Sequence, residues 1–401
     1  MSSDLGSEPM YGSSAARVTL VMSCLFCAYG MTLAFLPRWL EVERQLDGVA
    51  IGAILALAQF TRILTGPAVA FWADGAADRR TPLRVVLTAA VVAYAAFFFL
   101  AQGFWALLGF GFIALSLTQA LTPLVEAATL RATAEGRLSY GMARGIGSAA
   151  FILANIAGGV LIARFGLGAV VAWTLVTLSL SALSAWTVLR PDPPAAPAQG
   201  KARLEGLRSL LRSHRFLILI VACGLIQSSH AFYYSFSVIV WRGQEIPAET
   251  VGLLWAFGVA VEVAFLWSLA PIERRVSPEA LILVGAAGAA LRWLAMGLAP
   301  VGMVLWLLQA LHALSFAAAH VGAMRLLYRE TPESGAAMAQ NIYAAVSSGL
   351  FMGAATLMSG ALYDSIGAGG YWAMAAVATA GGLLALMLLQ PLRRAPAAIS
   401  R

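Results

Sequence analysis

Five charged side chains lie inside stretches of this chain that are otherwise apolar and long enough to cross a lipid bilayer. They are Arg62, Glu126, Arg144, Glu262 and Arg292. A charge at the centre of a bilayer costs about 2.5–3.5 kcal/mol on insertion scales, so such residues are rare and usually face a polar cavity. Three cations and two anions leave one net positive charge, which suits a monovalent organic anion as the molecule in that cavity.

Glu126 and Arg144 form the best candidate for an anion-binding pair. A guanidinium can donate two parallel hydrogen bonds to a carboxylate. Ser148, Phe151 and Asn155 follow Arg144 at i+4, i+7 and i+11, which places them on one face of a helix. A face turned to lipid would carry leucine and valine, so we interpret this stripe as part of the binding site. The alternative is a salt bridge that only joins two helices.

A second stripe combines polar and aromatic side chains later in the chain. Gln227, His230 and Tyr234 lie at i, i+3 and i+7, and they suit a ligand that contains a ring. Trp241 continues the same face, and we expect it to anchor the helix at the membrane surface, where tryptophan is enriched.

Glu262, Arg292 and His312 are the candidates for proton coupling. Glu262 is the only acid in its apolar segment, which makes it a candidate proton carrier. His312 could relay the proton, because an unperturbed imidazole titrates at a pKa of about 6.5. Arg292 could favour the charged form of Glu262, and a permanent Glu262–Arg292 salt bridge is the structural alternative. The residue pattern assigns no role to Arg62 or His320.

The elements that must position these residues are membrane helices. The chain is 60% hydrophobic and 11% charged, whereas a soluble domain has about 25% charged residues. An open sheet edge cannot be satisfied in lipid, so the apolar segments must be helical. We predict an all-α membrane protein with twelve helices, at 18–38, 49–73, 83–102, 104–130, 139–163, 168–189, 215–241, 250–271, 279–299, 301–327, 336–362 and 371–390.

A basic, proline-containing break divides these helices into two groups of six. The break predicts a linker at 190–214, between an N-terminal bundle at 1–189 and a C-terminal bundle at 215–401. Nineteen of the twenty-six basic residues fall on the side that holds both termini and this linker. The positive-inside rule then places both termini in the cytoplasm. The excess of basic residues therefore indicates topology, and we expect no nucleic-acid partner.

The loop between the second and third predicted helices provides the first resemblance to a known family. Its residues Asp74, Arg79 and Arg80 resemble the conserved loop of the major facilitator superfamily, although the glycines of that motif are replaced. The resemblance implies that the three residues form a cytoplasmic gate. It also implies the fold of that superfamily, with two six-helix bundles around a central cavity.

The second half of the chain resembles the 3-phenylpropionate permease family. The segments that carry this resemblance are 227–236, 252–263, 291–293, 309–312 and 319–325. That family is related to lactose permease, and Glu126 and Arg144 match the acid and arginine of its sugar site. Glu262, Arg292 and His312 match its functional acid, arginine and histidine. One departure is Ser315, which replaces the glutamate from which lactose permease releases its proton, so the coupling site does not carry over.

These observations predict a proton-coupled symporter that imports a small organic anion, such as an aromatic carboxylate, through a bacterial inner membrane. We expect a monomer without cofactor, metal or disulfide. An efflux antiporter, a sugar or nucleoside symporter and a non-transporting sensor remain as alternatives. A membrane-embedded enzyme is disfavoured, because the sequence contains no HxxxxD pattern, no metal-ligand cluster and no nucleotide-binding loop.

Overall fold

The computed structural model describes residues 14–134, 138–192, 210–269, 271, 274–331 and 335–389. Within these ranges the chain folds into helices and contains no strand. The helices of the N-terminal half are α1 (Ser14–Glu43), α2 (Gly48–Gly75), α3 (Arg80–Phe99), α4 (Gly103–Ala134), α5 (Tyr140–Phe165) and α6 (Gly168–Thr187).

Several helices of the C-terminal half are interrupted. The uninterrupted ones are α8 (Ala248–Trp267) and α9 (Pro278–Met296). The others are α7 (His214–Ser228 and Ala231–Gly243), α10 (Met303–Ala310, π-helical Ala313–Ala318 and Ala319–Glu330), α11 (Ala336–Ala344, π-helical Ala345–Phe351 and Met352–Ile366) and α12 (Gly370–Ala385, then 3₁₀-helical Leu386–Leu389).

The predicted all-α membrane fold is confirmed. Eleven stretches of the described chain are long and apolar enough to cross a membrane, and the last, Met338–Leu389, contains both α11 and α12. The chain turns between these two helices at Gly367, whose φ of 55° lies in the left-handed region that glycine adopts without strain. Counted separately, α11 and α12 give the twelve helices that we predicted. Most of the predicted linker, 193–209, lies outside the described residues.

The break in α7 has a local cause. The hydroxyl groups of Ser228 and Ser229 donate to the carbonyl oxygens of Leu225 and Ile226, and Nδ1 of His230 lies 3.1 Å from the carbonyl oxygen of Gln227. Side chains that bond to nearby carbonyls compete with the helical ladder. The helix therefore stops at Ser228 and restarts at Ala231.

The two bundles meet tightly at one face of the molecule, the distal face, which carries the connections at 44–47, 166–167, 244–247 and 367–369. Here α2 packs on α11, and α5 packs on α8. A Cβ atom at Gly252 would lie 2.3 Å from the carbonyl oxygen of Asn155, so no larger residue fits between α5 and α8. At the opposite end of α5, a Cβ at Gly141 or Gly145 would meet nothing within 4 Å. The bundles are therefore closed at the distal face and apart at the other end of α5.

Asp364 joins the bundles at the distal face, and we expect its removal to open that face. Its carboxylate on α11 accepts hydrogen bonds from the backbone N–H groups of Gly48 and Val49 at 2.7 and 2.8 Å, at the start of α2. A hydrogen bond to a charged group contributes about 1.5–3 kcal/mol, and about 1.4 kcal/mol changes a population tenfold. Asp364→Ala should therefore shift the protein at least about tenfold toward a conformation open at the distal face.

Distances between spin labels on Glu43→Cys and Gly243→Cys would measure this shift, because these residues end α1 and α7 on opposite bundles. Asp47→Ala is the matched control, since Asp47 caps the same helix from within its own bundle through the N–H of Ala50 at 2.8 Å. An unchanged distance distribution in Asp364→Ala would show that the contact does not hold the distal face closed.

The predicted gate loop is bonded to the start of the linker. Arg79 donates its backbone N–H to the carbonyl oxygen of Asp192 at 3.0 Å, and Nε of Arg80 lies 2.5 Å from Asp78. Arg80 also donates to the carbonyl oxygen of Leu189 at 2.8 Å. None of these contacts reaches the C-terminal bundle, and the side chain of Asp74 lies outside the described part of the structure. The gate role of Asp74, Arg79 and Arg80 therefore stays a prediction.

The Asp78 carboxylate should make this attachment dependent on pH. Burial raises the pKa of Asp78, but the hydrogen bonds from Arg80 and from the backbone of Asp192 outweigh it and hold the pKa below its usual range. The stabilisation is present above the unfolded-state pKa of about 3.9 and is lost as the pH falls through the lower folded-state pKa. We therefore expect Asp78→Asn to lower the thermal unfolding midpoint at neutral pH, and the difference from wild type to vanish in strong acid. An equal difference at both pH values would contradict this assignment.

Candidate functional site

A cavity of about 250 Å³ lies between the two bundles. Pockets for drug-sized ligands measure about 300–1,000 Å³, so this one suits a small molecule. Five helices line it, two from the N-terminal bundle and three from the C-terminal bundle. The lining residues are Phe26 and Leu33 on α1, Arg144, Ser148 and Phe151 on α5, Tyr233 and Tyr234 on α7, Trp255, Gly258, Val259 and Glu262 on α8, and His312 and Phe316 on α10.

Arg144 supplies the cation on the N-terminal side of the cavity. Its Nε lies 3.6 Å from Oε1 of Glu126 on α4, and its Nη1 donates to the hydroxyl of Ser148 at 3.2 Å. The Phe26 ring lies 4.7 Å from the guanidinium carbon. The side chains of Arg144 and Glu126 are 39% and 34% exposed, so a ligand can reach both. One long contact to Glu126 leaves the guanidinium with donors for a second carboxylate.

Glu262 and His312 form the polar part of the cavity on the C-terminal side. Oε2 of Glu262 lies 3.3 Å from Nε2 of His312. The other ring nitrogen, Nδ1, lies 2.9 Å from Nη1 of Arg292. Glu262 and Arg292, both in the described part of the chain, do not form the direct salt bridge that the sequence left as an alternative, because the imidazole of His312 lies between the two charges. Sequence spacing gave no information on this order.

Arg292 lies behind the cavity and is fully buried. Its guanidinium carbon is 4.7 Å from the ring centre of Tyr233 and 4.6 Å from that of Trp293, so two neighbouring aromatic rings stabilise the cation. Its hydrogen-bond acceptors are neutral, namely His312, Gln309 and Ser315. In the described part of the chain no carboxylate contacts Arg292.

The stripe on α5 is brought to the cavity only in part. Arg144, Ser148 and Phe151 line it, but Asn155 is fully buried one turn farther on. There the backbone of Asn155 packs against Gly252 on α8, inside the closed distal interface. Asn155 therefore belongs to the contact between the bundles, since the helix enters that contact beyond Phe151.

The stripe on α7 also reaches the cavity only in part, and the break at Ser229 separates Gln227 from His230 and Tyr234. Tyr234 lines the cavity, whereas Gln227 and His230 are buried away from it. Nε2 of His230 lies 3.2 Å from the hydroxyl of Ser315. The expectation for Trp241 is wrong: the side chain is only 1% exposed and packs near Tyr233 instead of anchoring at the membrane surface.

The structure also shows the surroundings of Arg62 and His320, to which the sequence assigned no role. Arg62 on α2 is half-buried and interacts electrostatically with Glu126, whereas His320 stacks on Phe316 at a ring distance of 6.1 Å. Sequence reasoning missed Phe26 and Trp255, since an aromatic residue in an apolar helix carries no distinguishing signal. The described residues contain no group of three histidine, cysteine or acidic side chains that could hold a metal ion.

A cavity between two bundles of six membrane helices, closed at one face, defines a transporter that works by alternating access. The chain belongs to the MFS_1 like family, whose family model matches residues 17–374. The protein is therefore a multi-pass membrane transporter of the major facilitator superfamily and not an enzyme. The predicted membership of this superfamily is confirmed.

Two curated proteins show which transporters the chain is similar to. A probable 3-phenylpropionic acid transporter of Escherichia coli (strain K12) is 29% identical over 381 residues, which cover 91% of this chain and 94% of that one. The maltose permease of Geobacillus stearothermophilus is 27% identical over 390 residues, which cover 96% and 97% of the two chains.

Solved structures show the same fold. A mutant of the nucleoside transporter NupG superposes with a TM-score of 0.83 at 15% identity, over 94% of this chain and all of that one. A bacterial homologue of the human lysosomal transporter Spinster, solved in an inward-facing and unoccupied conformation, has a TM-score of 0.75 at 15% identity over 96% and 98% of the two chains. At these identities the likeness extends to the fold alone.

Proposed function

We propose that this protein is a proton-coupled symporter that imports a small aromatic carboxylate, such as 3-phenylpropionate, through a bacterial inner membrane. The observation that carries the proposal is a small ring-lined cavity with an accessible arginine on one side and a carboxylate–imidazole pair on the other. The similarity to a probable 3-phenylpropionic acid transporter supports the same class of substrate. The protein works as a monomer, because one chain contributes both bundles.

Arg144 binds the carboxylate of the substrate, and Glu126 orients Arg144. The contact of 3.6 Å between them is long enough to be exchanged for two short hydrogen bonds to the substrate. The aromatic ring of the substrate then packs among Phe151, Tyr234 and Phe316, which surround the same cavity. A sugar would instead need several hydroxyl partners, and this lining is mainly aromatic.

Glu262 carries the proton. It lines the cavity, and its Oε2 lies 3.3 Å from Nε2 of His312. Protonation of Glu262 adds one positive charge to the cavity at the moment when the substrate adds one negative charge. The loaded and empty carriers then hold the same net charge, so both can cross between the inward-facing and outward-facing states.

Basic residues concentrate on the side of the chain opposite the distal face, and the positive-inside rule supports a cytoplasmic location for that side. The distal face is then periplasmic, and the structure corresponds to an inward-open conformation. Substrate and proton leave through this opening during import.

Uptake of radiolabelled 3-phenylpropionate into proteoliposomes with an alkaline interior tests the proposal. We expect accumulation above the external concentration, abolished by a protonophore. Accumulation of maltose or a nucleoside in place of 3-phenylpropionate would make the protein a symporter for a neutral substrate. Substrate that leaves the vesicles as protons enter would make it an efflux antiporter, and either result would overturn the proposal.

A further inference from the structure

Gln309 lies one helical turn before His312 on α10, and its side chain is fully buried. Its Oε1 accepts hydrogen bonds from Nη2 of Arg292 at 2.8 Å and from the hydroxyl of Tyr233 at 3.0 Å. A guanidinium only donates hydrogen bonds, so the amide atom that faces Arg292 must be the oxygen. Gln309 is therefore a neutral anchor for one end of the buried guanidinium.

The other end of the guanidinium decides where His312 carries its proton. Nη1 of Arg292 lies 2.9 Å from Nδ1 of His312 and must be the donor, which requires an unprotonated Nδ1. The single imidazole proton then lies on Nε2, 3.3 Å from the carboxylate of Glu262. A second proton on His312 would break the bond to Arg292 and place two cations in contact in a buried site, which is strongly unfavourable.

The other groups around this pair cannot take over the role of Arg292. Besides Glu262 on α8, four titratable groups face this pair from neighbouring helices, namely His230, Tyr233 and Tyr234 on α7 and Tyr371 on α12. His320 lies farther along α10. The phenols are neutral at physiological pH. In the described residues Glu262 is the only carboxylate in contact with His312.

We propose that Gln309 is a positioning residue for proton coupling, because its neutral oxygen keeps the charge of Arg292 directed at Nδ1 of His312. His312 then stays a neutral hydrogen-bond donor, and the transported proton binds to and leaves from the carboxylate of Glu262. This inference rests on the proposed proton-coupled function. A carboxylate in place of the amide would pair with Arg292, weaken its hold on Nδ1 and allow His312 to become charged.

The protonation state of His312 can be measured without any substrate. The full chain, labelled with ¹⁵N-histidine and reconstituted in lipid vesicles, gives nitrogen signals from four histidines, and His312→Asn identifies the signals of His312. We expect wild-type His312 to remain the neutral Nε2–H form between about pH 5 and 8. In Gln309→Glu, the imidazole of His312 should become charged within that pH range. In Gln309→Leu, His312 should give a mixture of both neutral tautomers. Gln340→Glu adds the same charge at a partly exposed position, beside the exposed side chain of Tyr328, and should leave the wild-type spectrum unchanged.

A transport measurement on the same variants relates the protonation state of His312 to proton-coupled uptake. The pH at which 3-phenylpropionate uptake is half-maximal should rise by about one unit in Gln309→Glu, since a nearby negative charge favours the protonated site. A charged His312 in wild type, or wild-type spectra in both Gln309 variants, would overturn the role of Gln309. If wild type instead shows the expected spectra but takes up no organic anion with protons, the proposed function is wrong and the tautomer assignment stands.

Discussion

Arg144→Lys is expected to reduce uptake of 3-phenylpropionate by about 10- to 100-fold, although it keeps the positive charge. A guanidinium grips a carboxylate with two parallel hydrogen bonds, whereas an ammonium is a point charge without that planar geometry. Loss of one charged hydrogen bond costs about 1.5–3 kcal/mol. The ring of Phe26 lies 4.7 Å from the guanidinium carbon of Arg144 and helps to fix the orientation of the guanidinium, and the substitution removes this contact.

The measurement is the initial rate of uptake into proteoliposomes, normalised to the amount of folded protein. Arg164→Lys is the matched control, because Arg164 is exposed at the distal end of the same helix. It should transport at the wild-type rate. Wild-type uptake by Arg144→Lys would exclude Arg144 as the group that grips the carboxylate.

Glu262→Gln is expected to abolish uphill accumulation and to preserve exchange of substrate between the two sides of the membrane. Exchange requires the carrier to change its orientation with substrate bound, but it requires no net release of a proton. The glutamine carbonyl can still accept the hydrogen bond from Nε2 of His312, so the geometry of the site should survive. Net uptake should stop, because the permanently neutral side chain mimics the protonated state and cannot release a proton in the cytoplasm.

Two assays on the same proteoliposomes separate these outcomes. Counterflow measures exchange, and accumulation under an imposed pH gradient measures coupling. Glu249→Gln is the control on the same helix, since Glu249 is exposed near the distal end of α8. If Glu262→Gln still accumulates substrate together with protons, the coupling site lies elsewhere, and Glu126 and His312 become the next candidates.

The sequence by itself determined the membrane fold of this protein. Long apolar segments must be helices, because lipid offers no hydrogen-bond partners to the backbone. It also singled out the charged residues that line or support the cavity, since a charge within such a segment is too costly to face lipid. Arg144 and Glu262 were both recognisable for this reason, and the structure places both on the cavity.

Only the tertiary structure decided which of these residues meet. Glu262 contacts His312 instead of Arg292, because the packing of α8, α9 and α10 places an imidazole between the two charges. Helical periodicity assigns a residue to a face but does not fix which neighbour that face meets. It also assumes an unbroken helix, so it could not foresee the turn at Ser229 that separates Gln227 from Tyr234. Helical periodicity also could not predict that α5 enters the closed interface at Asn155. The distance between two helices depends on the residues of both, and here Gly252 on α8 allows the close approach.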